Sequence, residues 1–151
     1  MRALIYRTLY PLAKTYWFLR RPVTTGVKCF IIYDSHLLMV RHTYGNIQYT
    51  IVGGGLKKGE STEQALRREV KEEVNLELKN IRKITEVYTE AEYKRDTIHL
   101  FIAEATTGDF KIDKAEISEA KWFPISEIPE AISPLFKELL DLANSDLKTV
   151  S

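Results

Sequence analysis

Residues 54–76 read G-G-L-K-K-G-E-S-T-E-Q-A-L-R-R-E-V-K-E-E-V-N-L, a glycine-rich turn that runs directly into an acidic helix. Gly54 and Gly55 open the stretch behind Gly53, and the three let the chain take backbone angles closed to other residues, so that a ligand can come close to the main chain. The turn ends at Gly59. Ser61 is the expected N-cap, because Gln64 follows at the spacing of a capping box. A helix is predicted over Thr62 to Val74: Ala65, Leu66, Arg67, Arg68, Glu69 and Lys71 favour helix, and neither Gly nor Pro interrupts them. Asn75 supplies a residue that tolerates the left-handed stop conformation.

On this helix Glu69, Glu72 and Glu73 stand at i, i+3 and i+4 and project over an arc of about 100 degrees. Leu66, Val70 and Val74 form an adjacent apolar stripe that pins the helix to a core, leaving the carboxylates at the edge of the packed face. Acidic residues at helical spacing are most often a solvated face. Three like charges so close nevertheless repel one another, and the repulsion grows where they are partly buried. Arg68 relieves part of it by pairing with Glu72 or Glu60. A cluster of hard oxygens is also what Mg²⁺ or Mn²⁺ binds.

Taken in order, Gly54, Glu60, Arg68, Glu69, Val70, Glu72, Glu73 and Leu76 stand at the spacing G-x5-E-x7-R-E-U-x-E-E-x-G-U, where U is a bulky aliphatic residue. This resembles the Nudix box, and a turn followed by a helix is the context such a box requires. Two positions depart from it. The late glycine of the box is Asn75, the mildest replacement at positive φ. Val52 stands where many members carry a proline ahead of the glycines.

The resemblance implies an α/β fold, the Nudix-type α/β/α sandwich around a mixed β-sheet. It implies that Glu69, Glu72 and Glu73 bind the catalytic cation, Mg²⁺ or Mn²⁺, with one carboxylate helping to activate the attacking water, and that Gly53 offers the metal a backbone carbonyl. Arg68 is grouped with this catalytic apparatus, although its part and that of Glu60 are to brace the turn against the helix, with Gly54 as further structural support. A ligand from outside the box is expected at Glu119, with Glu116 beside it as the alternative. The implied reaction is hydrolysis within the diphosphate of a nucleoside diphosphate linked to another moiety, of the nucleoside triphosphate or dinucleoside polyphosphate class. Such anionic linkages repel water, so cleavage needs cations on the oxygens and a water of lowered pKa.

Arg41, His42, Tyr44, Lys57 and Lys58 lie in turns beside the expected site and are suited to phosphate or base; of these Arg41 and Lys57 are the chosen substrate ligands. Tyr93 joins them, since its distance past the box resembles the placement of a tyrosine in dinucleoside polyphosphate hydrolases. The proline expected near there in ADP-ribose pyrophosphatases is Ala91. No downstream signature of the NADH or coenzyme A branches is visible. A different class remains open: some proteins of this fold bind nucleotides or protein partners without hydrolysing anything, though these usually lack the box carboxylates.

The rest of the chain agrees with one such domain. At 151 residues, 44% apolar and 28% charged, it has the size of a single unit with a real core. Twenty-two basic residues against 21 acidic ones give a net charge of +1, so no global field favours stable nucleic-acid binding. The expected partner is a nucleotide-type small molecule. Cys29 is the single cysteine; lying in V-K-C-F-I-I-Y it reads as a core residue of a cytoplasmic protein. His36, His42 and His99 do not form a zinc spacing.

Val27 to Tyr33 and Leu37 to Arg41, joined through D-S-H, read as a hairpin, and Tyr49 to Val52 as a short strand leading into the glycines. Ile81 to Tyr88, Thr97 to Ala105 and Lys121 to Pro124 are further strands. Pro134 to Asn144 reads as a helix. Residues 22–151 are thus the hydrolase domain, and residues 1–21 stand apart. These hold Arg2, Arg7, Lys14, Arg20 and Arg21 with no acid, and Ile5, Leu9, Leu12, Tyr16 and Leu19 at helical spacing. Pro11 is expected to break or kink this helix. Three readings are open for it: a helix packed on its own domain or on a second copy in a homodimer, a helix at a membrane surface, or an organelle-targeting presequence.

Overall fold

The computed structural model describes residues 2–20, 23–44, 48–90 and 95–149. Helix α1, Arg2–Arg20, precedes strand β1, Val23–Tyr33, and strand β2, His36–His42. Helix α2, Thr62–Val74, is followed by β3, Leu78–Thr89, β4, Arg95–Ala105, and β5, Ile117–Pro124. A short 3-10 turn leads to helix α3, Pro134–Leu147.

The five strands form one mixed sheet in the order β3-β4-β1-β2-β5, with β1 and β4 parallel and the other pairs antiparallel. Alternation along the strands divides the core in two. Val27, Cys29 and Ile31 of β1, Leu38 and Val40 of β2 and Phe101 and Ala103 of β4 face Leu66, Val70 and Val74 of α2. Phe30 and Ile32, Leu37 and Met39, and Leu100 and Ile102 face Phe136, Leu139 and Ala143 of α3. With a helix on each face, the central strands are buried on both sides and read as continuous apolar runs. The fold is the expected α/β/α sandwich.

At the hairpin tip Asp34 and Ser35 both have positive φ, the two-residue turn whose twist matches the strands it joins. β1 and β2 pair directly at Ile32–Leu37 and Tyr33–His36. Below that point residues 49–55 enter between them. Thr50 exchanges two hydrogen bonds with Val40 of β2, at 2.9 Å each. Val52 and Gly54 accept from the amides of Cys29 and Val27 of β1, at 3.0 and 2.9 Å. The glycines are therefore delivered as a wedge in the fork of the hairpin, directly over the N-terminal half of β1.

Several boundaries lie beyond those expected. β1 starts at Val23, where Thr24 and Thr25 carry no apolar signal but pair in register with Asp96 and Thr97. β3 starts at Leu78, its register shifted between Lys79 and Arg82, next to the positive φ of Asn80, and that irregularity hides the alternation. α3 runs on to Leu147, which is buried. Of the two outcomes expected at Pro11, the break is absent: α1 continues through it as one helix, and Thr15 Oγ1 donates to the Pro11 carbonyl at 3.1 Å. No helix among the described residues is long and apolar enough to cross a membrane.

Candidate active site

The wedge needs glycine at two positions. Gly53 has φ +150°, and a Cβ there would stand 2.0 Å from the Val27 carbonyl oxygen, so no side chain fits. At Gly54 the backbone angle is permissive, but a Cβ would stand 2.5 Å from the Cδ and Oε1 of Glu69. The first glycine lets the wedge run tight against β1; the second lets α2 bring a carboxylate against the main chain.

The helix beneath is capped as its sequence requires. Ser61 Oγ accepts from the Gln64 amide at 3.2 Å, and the Gln64 side chain accepts from the Ser61 amide at 2.9 Å. Asn75 ends it in the left-handed conformation, φ 54° and ψ 38°. Ala65, Leu66, Val70 and Val74 are fully buried. Each of the three larger side chains contributes about 2 kcal/mol by leaving water, which fixes the rotation of the helix and so the direction of its acidic face.

Arg68 links turn and helix. Its Nε and Nη2 donate to the two oxygens of Glu60 at 2.8 and 2.9 Å, a bidentate pair, and Nη2 also donates to the Gly55 carbonyl at 2.9 Å. Its Nη1 donates to Glu69 at 2.6 Å and to Glu72 at 3.3 Å. Glu60 in turn accepts from the Lys57 amide at 2.9 Å. The Arg68 guanidinium, followed by that amide, holds the Glu60 carboxyl down at about 2, well below the usual carboxylate range. Planar two-point recognition of this kind is specific to arginine. These contacts tie the turn to the helix.

Glu73 is the unusual member. Only 3% of it is exposed, and its carboxylate accepts from the Gly53 amide over a long 3.4 Å. Burial raises its carboxyl to about 8; Lys28 opposes the shift, while the charges of Glu69 and Glu116 add to it. Glu69 is raised as well, again mainly by burial, against the pull of Arg68. Lys28 lies on β1 beneath the wedge, its Nζ donating to the Ile51 carbonyl at 2.9 Å. His42 sits at the end of β2 with Nδ1 buried and without a hydrogen-bond partner. Burial, with Lys28 adding to it, pushes its imidazole down to about 4, so it is neutral at physiological pH.

The sequence-predicted residues fall into three groups. Gly53, Gly54, Glu60, Arg68, Glu69, Glu72 and Glu73 are brought together, with Lys57 reaching Glu72 at 3.5 Å. Arg41 and Glu119 are turned to each other: their ion pair is 3.3 Å long, the Arg41 guanidinium lies 4.1 Å from the centre of the Tyr49 ring, and Glu119 also bonds the Tyr49 hydroxyl. Glu116, the alternative to Glu119, is the one whose charge reaches Glu69 and Glu73. Tyr93 and Ala91 lie outside the described residues. Lys28 was missed, although it is the one charge inside the apolar run V-K-C-F-I-I-Y. Cys29 is a buried core residue with its thiol pushed up by burial, as expected.

The donor set is entirely hard oxygen: three glutamates of α2, a fourth nearby and the main chain of the wedge. Among the described residues no three His, Cys, Asp or Glu side chains stand ready in one ligating array, since Glu69 and Glu72 both turn to Arg68. Buried Glu73 and half-buried Glu69, mutually repelling and set against the main chain of the glycine turn, nonetheless form a hard-oxygen donor set that suits a small dication.

Residues 22–142 match the NUDIX domain family. Among curated relatives, the chain is 28% identical over 124 residues to the NAD-capped RNA hydrolase NudC of Vibrio atlanticus (strain LGP32), covering 78% of this chain and 44% of that protein. It is 35% identical over 97 residues to NudC of Shigella flexneri, covering 64% and 37%. The chain thus spans less than half the length of these relatives. The fold is similar to that of a MutT NUDIX hydrolase from Burkholderia pseudomallei, with a TM-score of 0.72 and 18% identity over 80% of this chain and 97% of that one. It is also similar to a bifunctional NMN adenylyltransferase/ADP ribose pyrophosphatase from Francisella tularensis, with a TM-score of 0.72 and 16% identity over 95% of this chain and 48% of that one. With the box, the sandwich and the match over most of its length, the chain belongs to the Nudix family of hydrolases, enzymes that act on pyrophosphate bonds and generally use divalent metals.

Proposed function

We propose that this protein is a Mg²⁺-dependent pyrophosphohydrolase that cleaves a nucleoside diphosphate linked to another moiety, a nucleoside triphosphate or a dinucleoside polyphosphate, with Mn²⁺ as the alternative ion. The observation that supports it most is the burial of Glu73 against Gly53, with the charges of Glu69 and Glu116 close by. Isolated buried carboxylates are costly, and a site that gathers several is built for something that offsets them. Glu69, Glu72, Glu73 and the Gly53 carbonyl would hold the ion, with Glu116 in preference to Glu119 as the ligand from outside the box. When bound, the ion neutralises diphosphate oxygens and acidifies water.

The chain's own residues do the rest. Arg68 and Glu60 keep the turn at a fixed distance from α2, so the donors on the two elements stay in register. Lys28 lowers the cost of ionising Glu73, which lets that side chain give up its proton when a cation arrives. One carboxylate of the trio takes the proton of the attacking water. The bond from phosphorus to the bridging oxygen breaks, and each product keeps a phosphate. Exposed Lys57, beside Glu72, would meet a phosphate; Arg41 would reach one by leaving Glu119, and Tyr93 remains a proposed substrate contact.

Residues 22–151 are read as the hydrolase domain and residues 1–21 as an appendage, in a protein that acts in the cytoplasm. The names of the curated relatives favour a second substrate reading, a dinucleotide whose two nucleosides are joined by one pyrophosphate, free or at the end of an RNA. Release of nucleoside monophosphate from a panel of nucleoside triphosphates, dinucleoside polyphosphates, NADH and ADP-ribose, with and without Mg²⁺, separates these substrates. No turnover of any of them with Mg²⁺ or Mn²⁺ would leave the binding-module reading instead.

A further inference from the structure

Helix α1 meets the domain through the wrong face for a helix that hides its apolar residues. Tyr10 packs on Tyr44 with ring centroids 5.5 Å apart, and Tyr44 packs on His42 at 5.8 Å, so α1 lies beside the mouth of the site. Lys14 sits over the Tyr10 ring on the same side, 5.7 Å from its centre. At 100 degrees per residue, Leu9, Leu12, Tyr16 and Leu19 share an arc of about 80 degrees, whose centre lies about 140 degrees round from Tyr10. They are turned to solvent: Leu9 is 54% exposed, Leu12 66%, Tyr16 57% and Leu19 73%. Single exposed apolar residues are ordinary, but a helical stripe of four is a docking surface.

The charge of the segment says what covers it. Arg2, Arg7, Lys14, Arg20 and Arg21 are set against no acid in residues 1–21, while the whole chain carries only +1, so the remainder is net acidic. A second α1 brought onto the stripe would set five positive charges against five. An anionic lipid surface takes both features at once: the apolar stripe enters the acyl boundary, Arg2 and Arg20 hold helix positions about 60 degrees round from its centre at the headgroups, and the basic residues of the far side add longer-range attraction. We infer that α1 is an interfacial helix that seats this protein on anionic membranes, with the mouth of the site held close to the bilayer. This does not depend on the substrate or on hydrolysis.

The test is co-sedimentation of the full chain with vesicles of phosphatidylcholine alone and of phosphatidylcholine mixed with phosphatidylserine, for the wild type and for Leu12→Asp/Leu19→Asp. Both substituted positions are exposed, so circular dichroism and the rate on a soluble substrate should not change. Wild type should pellet with the phosphatidylserine vesicles only, the bound fraction should fall as salt rises, and the variant should bind roughly tenfold less. Failure of wild type to pellet, or pelleting that the variant shares, overturns the inference. So does concentration-dependent self-association that the two substitutions abolish while vesicle binding is absent, an outcome that assigns the stripe to a second copy.

Discussion

The Glu69 carboxylate occupies the space that a side chain on Gly54 would fill, with only 2.5 Å between its Cδ and the Cβ that residue lacks. Turn and helix are thereby mated at one point. Gly54→Ala should push Glu69 off its position without unfolding α2, whose apolar stripe is anchored in the core. A displacement of this size at a reacting centre costs up to about a hundredfold. The expected outcome is a kcat reduced roughly 10- to 100-fold with the melting temperature within a few degrees of wild type. A variant with unchanged kcat would show that the close approach is incidental.

Glu73 gives the metal-free protein a distinctive dependence on pH. Its carboxyl is raised from the ordinary 4.5 to about 8, so between those values the unfolded chain has lost a proton that the folded chain keeps. Stability from this group therefore falls as pH rises across that window. Glu73→Gln should remove the decline, raising the melting temperature at pH 8 by a few degrees and leaving it nearly unchanged at pH 4, with hydrolysis abolished at every pH. Thermal melts in chelator check the first half; equal pH slopes for the two proteins would count against a buried, protonated Glu73.

Glu60 works in the opposite sense. Its folded carboxyl is depressed to about 2 by Arg68 and the Lys57 amide, so the stability it contributes is complete above pH 4.5 and disappears as pH falls towards 2. Glu60→Gln should flatten the acid limb of a stability profile between those values. Loss of the bidentate partner should also let Arg68 drift and lower kcat, more mildly than a change in the trio. An acid limb identical to wild type would mean that the pair does not persist in solution.

Lys28 is the positive group that moderates Glu73. In Lys28→Met the Glu73 carboxyl should rise further, so the acid limb of the pH–rate profile should move to higher pH, with weaker metal binding at neutral pH. A profile that drops in height without shifting would assign Lys28 to the support of Ile51 alone.

How much of this was legible beforehand follows from where the signals lie. The α2 segment was readable to the residue, because its cap, its stop at Asn75, its apolar stripe and its acidic face are all local features of one continuous stretch. The sandwich was readable from the resemblance carried by the box and from strands interrupted by helices, and the apolar runs of β1, β2 and β4 fit a sheet covered on both faces. The insertion of residues 49–55 between β1 and β2 was not, since pairing by isolated bridges leaves no pattern in the chain. The roles of Glu116 and Glu119 could not be divided either. They lie three residues apart on either side of the start of β5, and only the register of β5 on β2, which sets Glu119 opposite Arg41, separates them. α1 runs on through Pro11 without a break because a missing amide costs one hydrogen bond of the helix, which the remaining turns can carry.

The most direct measurement is calorimetric titration of Mg²⁺ and Mn²⁺ into wild type, Glu72→Gln and Glu73→Gln in the presence of a diphosphate-bearing nucleotide, with turnover recorded in parallel. Saturable binding of cation to wild type, weakened at least tenfold in both variants together with loss of turnover and an unchanged circular dichroism spectrum, is the expected result. Cation binding and turnover that survive intact in either variant, or a wild type that binds neither ion, would contradict the assignment of this carboxylate cluster as the hydrolytic centre.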